Sequence, residues 1–129
     1  MDERRRLKRA RLIERVRTVE KGRAALASAE AEALSSRLSG VADKTRTLAS
    51  HYAGSDMIAT SDDLRRLTAM QHQLYTLTTV NDGHLRDARR RADAALLELG
   101  NAERKRARIE SDRRALETMA LARSLNTPT

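Results

Sequence analysis

The chain has 129 residues, 34% of them charged and only 2% aromatic, with no Trp, Phe or Cys and a formal net charge of +8. A layered globular core needs bulky apolar residues that this composition lacks, and the absence of Cys excludes a disulfide framework and thiolate chemistry. Ala, Leu, Arg, Glu and Asp recur at regular spacing, which fits long helices and coiled coils better than disorder.

Taken in chain order, the opening MDERRRLKRARLIERV is basic but has no apolar h-region, so no secretory signal is expected. No run approaches the roughly 18 apolar residues of a membrane span, and a cytoplasmic location is the default. Helix one is predicted over about residues 3–52. Its apolar residues fall into two registers, Leu12, Val16, Val19 and Leu26, then Leu34, Leu38, Val41, Leu48 and Tyr52. Steps of four through Glu30 join them, which predicts a stutter that locally unwinds a supercoil. Gly54 then stands where a left-handed residue would end the helix.

The connection, 53–60, carries Gly, Ser and Asp and includes Met57, a candidate gap-filler like Met70 and Met119. Thr60 is the expected N-cap of helix two, with Asp63 at capping-box spacing and Asp62 beside it on the first turn. Helix two, about 61–125, follows one heptad register. One row holds Leu67, Leu74, Asn81, Ala88, Ala95, Ala102, Ile109 and Leu116. Its companion holds Leu64, Gln71, Thr78, Leu85, Ala92, Leu99, Arg106, Arg113 and Ala120. Many Ala and several polar members make this a seam that buries little apolar area. Pro128 and the polar LNTPT end the helix.

Two such helices joined by a short connection fold back on each other. The predicted fold is therefore all-α, a single domain over residues 1–129 in which two long helices form an antiparallel coiled-coil hairpin, on the order of 70 Å long. Charge is unevenly placed along it. Residues 1–23 hold ten Lys or Arg against four acids, residues 86–114 ten against six, and residues 24–85 five against seven. The hairpin brings the two basic segments side by side at one end, where like charge favours an anionic partner. Intrahelical pairs such as Glu110 with Arg114 and Glu103 with Arg106 offset part of that charge.

No catalytic constellation is present. His51, His72 and His84 have no ligand at metal-binding spacing, Asp62 and Asp63 read as a helix start, and the glycines of SLSG and AGSD lack phosphate-loop spacing. A non-enzyme without cofactor, metal or small-molecule substrate is expected.

Over its whole length the chain resembles the flagellar export stalk proteins of the FliJ type, small antiparallel coiled coils of the bacterial type III export apparatus. The likeness is sharpest in SDMIATSDDL and in HLRDARRRADAALLELGNAERKRARIE. It implies a cytoplasmic rod, peripheral at the inner membrane through the export apparatus. One end would enter the central hole of the hexameric flagellar export ATPase and promote its assembly. By that resemblance Arg5, Arg6, Arg9, Lys105, Arg106 and Arg108 are the candidates for contacting the ATPase. Tyr52, Met70, Leu74, Leu77 and Asn81 are the candidates for contacting the cytoplasmic domain of the export gate, and export chaperones are a further implied partner. The chain departs from the family at Met70, where an aromatic residue is expected, and in a shorter loop. Leu74 on the seam also reads as core, and Asn81 as a register-fixing residue.

Two readings from other classes use the same residues. A basic coiled coil can bind nucleic acid or an anionic membrane surface through its Arg clusters, though it lacks aromatics for stacking on single strands. It can also serve as a structural scaffold, with Leu96, Leu97 and Leu121 joining a second hairpin.

Overall fold

The computed structural model describes residues 2–54 and 60–126, and all but the ends of the connection lie in two helices. Helix α1 spans Asp2–Ala53 and α2 spans Ser61–Asn126. They pack against each other as an antiparallel helical hairpin, the all-α fold expected. Met57, the rest of 55–59 and Pro128 lie outside the described residues.

The ends of the helices follow local chemistry. Thr60 caps α2 through its hydroxyl oxygen, which accepts from the Asp63 N–H at 3.1 Å, while its carbonyl accepts from the Leu64 N–H at 3.1 Å. Asp62 and Asp63 place negative charge on that first turn, against the positive end of the helix dipole. At the end of α1 the Gly54 N–H donates to the Ser50 carbonyl at 3.1 Å. Gly54 does not adopt a positive φ, so the expected left-handed terminator is not formed, and its N–H bond continues the helical pattern one residue past Ala53.

Tertiary contacts divide the hairpin into two compact units, Met1–Ser28 with Ala94–Thr129, and Ala29–Asp93. The second unit, Ala29–Asp93, has a seam of small and aliphatic side chains. Ser35, Ala42 and Thr45 of α1 and Leu74, Leu85, Ala88 and Ala92 of α2 are buried there. Asn81 is part-buried at its seam position and donates from Nδ2 to Thr45 Oγ1 at 3.1 Å; the Thr45 hydroxyl in turn donates to the Val41 carbonyl at 2.9 Å. Gln71 donates to the Tyr52 carbonyl at 3.3 Å, and Arg46 pairs with Asp82.

The first unit has an ionic seam. Among its described residues only Ala10 is buried, with Leu7, Ile13, Leu99, Ile109 and Leu116 half-buried. Arg113 donates from Nε to Glu14 and from Nη1 to Glu117 at 2.9 Å, and Arg11 donates to Glu117 at 3.3 Å. Arg106 donates from Nε to Thr18 Oγ1 at 3.2 Å and from Nη1 to Glu110 at 3.1 Å, and Arg114 pairs with Glu110 at 2.7 Å. No buried side-chain nitrogen or oxygen among the described residues lacks a partner.

The heptad register of α2 holds as expected from Leu74 to Ala120, where every member is buried or half-buried; of the members before it Leu67 is half-buried, while Leu64 and Gln71 are exposed. The expectation for α1 is corrected. Leu12, Val16, Val19, Leu26, Leu34, Val41 and Leu48 are exposed, and only Leu38 and Tyr52 of the two expected registers are shielded. The shielded face instead runs through Leu7, Ala10, Glu14, Arg17, Lys21, Ala24, Ser28, Ala31, Ser35, Leu38, Ala42, Thr45, Ala49 and Tyr52, at alternating steps of three and four with no stutter at Glu30. The polar members of the α2 seam select that face. Glu14 accepts from Arg113 and Thr18 from Arg106 across the seam, beside the acceptors Glu117 and Glu110 that these arginines have on their own helix. Thr45 does the same for Asn81 in the other unit.

Candidate functional site: a basic interaction surface

The net charge of the protein resides in one unit. Residues 1–28 carry ten Lys or Arg against four acids and residues 94–129 seven against five, a surplus of +8 that equals the whole chain's; residues 29–93 balance nine against nine. Within the basic unit, several cations are consumed internally. Arg113 is held charged by its bonds to Glu117 and Glu14, which raise its already high pKa. The Glu117 carboxyl is pushed below the usual range, first by the bond from Arg11 and then by that from Arg113.

Five of the six cations expected to meet the ATPase stay available. Arg5, Arg6, Arg9, Lys105 and Arg108 are exposed and form no ion pair within the described residues. Arg106 differs: it is half-buried and engaged by Thr18 and Glu110, so its place is in the seam. The pairing expected between Glu103 and Arg106 is replaced by that bond to Glu110, whereas Glu110 with Arg114 forms as expected. Arg6 and Arg9 line an open groove of about 400 Å³ together with Ala10, Ile13, Ile109 and Asp112. Lys105 and Arg108 line a second open groove, of about 520 Å³, with Asn101 and Arg104. The expected set is therefore gathered into one unit, with two members on each groove, Arg106 in the seam and Arg5 on neither groove. Arg104, donating to Asn101, was not singled out in the sequence because the RKR run offers no spacing that distinguishes its members.

The residues expected to meet the export gate divide differently. Leu74 is buried at 5% exposure and belongs to the core, and Asn81 is committed to Thr45. Tyr52 is half-buried, its ring 5.7 Å from that of His51 in an edge-on arrangement. Met70 and Leu77 are exposed. In α1, Val41 and Leu48 precede shielded positions by one residue, as Met70 and Leu77 do on the α2 heptad. In an antiparallel pair those flanks lie on one side of the seam. The four make an apolar flank on the unit of residues 29–93. Sequence reasoning missed its α1 half because Val41 and Leu48 were placed in the core. Tyr75, at 72% exposure, lies on the other flank, in a groove with Arg46, Ala49 and Thr78.

Among the described residues no group of His, Asp and Glu is placed to hold a metal ion, and no helix is long and apolar enough to cross a membrane. No family model matches the chain, and no curated protein or solved structure is significantly similar to it.

Proposed function

We propose that the protein is a non-enzymatic coiled-coil stalk of the bacterial flagellar type III export apparatus, which binds the hexameric export ATPase through its basic unit and promotes ring assembly and substrate export. The observation that carries the reading is the segregation of the entire surplus charge into the unit of residues 1–28 and 94–129, with Arg5, Arg6, Arg9, Lys105 and Arg108 forming no ion pair among the described residues. Such surface cations on both helices of a narrow helical pair suit insertion into a ring lined by acidic groups, where each pairing is made on binding rather than within the free protein. The contact with the export gate is assigned to Met70 and Leu77 on the apolar flank of the neutral unit.

The test is the hydrolysis rate of the cognate flagellar export ATPase titrated with this protein, with duplex DNA binding measured beside it at several salt concentrations. Saturable stimulation of ATP turnover supports the stalk reading. Unchanged turnover, with tight DNA binding that weakens steeply as salt rises, replaces it with a nucleic-acid surface.

A further inference from the structure

The outward face of α1 in the basic unit carries a second heptad pattern. Leu12, Val16, Val19 and Leu26 follow at steps of four, three and seven, the spacing of a coiled-coil seam, yet they are 54–61% exposed and face away from α2. The row covers about 21 Å of helix at 1.5 Å per residue. Two of the four are Val, which loses side-chain freedom in a helix and gains nothing there unless its methyls are covered. Lys8 and Arg15 flank the row, and Arg5, Arg9 and Arg23 continue it on its own face; none of these five forms an ion pair within the described residues.

We infer that this stripe is a docking seam for an acidic amphipathic helix of another protein, one that presents apolar residues at heptad spacing between Glu or Asp flanks. The charge decides between occupants. A second copy of this chain would bring a unit of net +8 against its like, with Arg and Lys meeting Arg and Lys. A lipid surface calls for a broad bulky face with aromatic anchors, whereas this row is two positions wide, has no aromatic residue and is interrupted by Arg23. A helix with acidic flanks satisfies both features: its apolar knobs cover the Leu and Val, and its carboxylates meet Lys8 and Arg15. The stripe shares Arg5 and Arg9 with the surface assigned to the ATPase, so the variants below leave both in place and change Lys8, Arg15, Val16 and Val19, which that reading does not use.

The probe is a synthetic helical peptide of about four heptads with Leu at both seam positions and Glu at both flanks, whose like charges keep it from pairing with itself. Its binding to the full chain is followed by fluorescence anisotropy, beside a peptide with Lys flanks and vesicles of phosphatidylserine and phosphatidylcholine. Saturable binding of the acidic peptide alone is expected. It should weaken at least about tenfold in the Val16→Glu, Val19→Glu double variant and severalfold in Lys8→Glu, Arg15→Glu. All four residues are solvent-facing, so circular dichroism should report unchanged helicity in both variants. Equal binding of the two peptides, or binding indifferent to Val16 and Val19, overturns the inference. So does vesicle binding without peptide binding, which makes the stripe a lipid face, or a sedimentation shift to a dimer that Val16→Glu abolishes, which makes it a self-interface.

Discussion

Replacing Leu74 by Ala measures the worth of the α2 seam, and replacing Val41 by Ala measures the rotation of α1 against it. Leu74 keeps only 5% of its exposure, so truncation removes three carbons that are almost wholly withdrawn from water, about 2.4 kcal/mol at about 0.8 per carbon. The cavity term stays small because a two-helix seam is open to water at its flanks, leaving an expected loss of about 2–3 kcal/mol. Val41 is 47% exposed, although it neighbours Ala42 at 1%. Its two methyl groups contribute about 0.8 kcal/mol of burial, offset by the better helix propensity of Ala, for a net change near zero. Urea titration followed by circular dichroism reads both, and the Leu74 variant should melt roughly 10 °C lower. A loss in Val41→Ala equal to that in Leu74→Ala would refute the seam described here, because it would mean that α1 turns its Leu and Val rows inward.

Other expectations are separable from that one. Gly22, Gly40 and Gly83 lie inside helices with no heavy atom within 4 Å of an added Cβ, so each Gly→Ala change should stabilise by about 1 kcal/mol in the same titration. Thr60→Ala removes the acceptor for the Asp63 N–H and should cost about 1 kcal/mol, while Thr60→Asp restores it. The Glu117 pKa is lowered in the folded protein, so the unfolded chain takes up that proton at higher pH than the native one. Its stabilising contribution is complete above the ordinary carboxylate pKa and is lost as pH falls through the lowered value. Melting temperature against pH should show that acid slope, reduced in Glu117→Gln.

The fold was legible where one kind of force acted alone. From Leu74 onward the α2 register could be read because Leu, Ile and Ala recur without insertion, and the N-cap at Thr60 because capping chemistry is local. The facing side of α1 was hidden because it is chosen by pairing across the seam. Glu14 answers Arg113, Thr18 answers Arg106, and Thr45 answers Asn81. Reading α1 for its largest apolar residues points to the opposite side, where Leu12, Val16 and Val19 meet solvent. Clustering of charge was legible only in part from counting: Arg86, Arg89, Arg90 and Arg91, counted into the second basic segment, fall in the unit of residues 29–93, and Arg106 and Arg113 lie in the same segment as Lys105 and Arg108 but are spent within the seam.

The measurement that most directly tests the proposed stalk compares two charge-matched variants in the ATPase titration. One carries Arg5, Arg6, Arg9, Lys105 and Arg108 changed to Ala in the basic unit. The other carries Arg65, Arg66, Arg86, Arg89 and Arg91 changed to Ala in the neutral unit, all likewise exposed and without ion pairs among the described residues. Loss of ATPase stimulation in the first with retention in the second is the predicted result. Equal loss in both would contradict it, since the effect would then follow net charge and not a ring-facing surface.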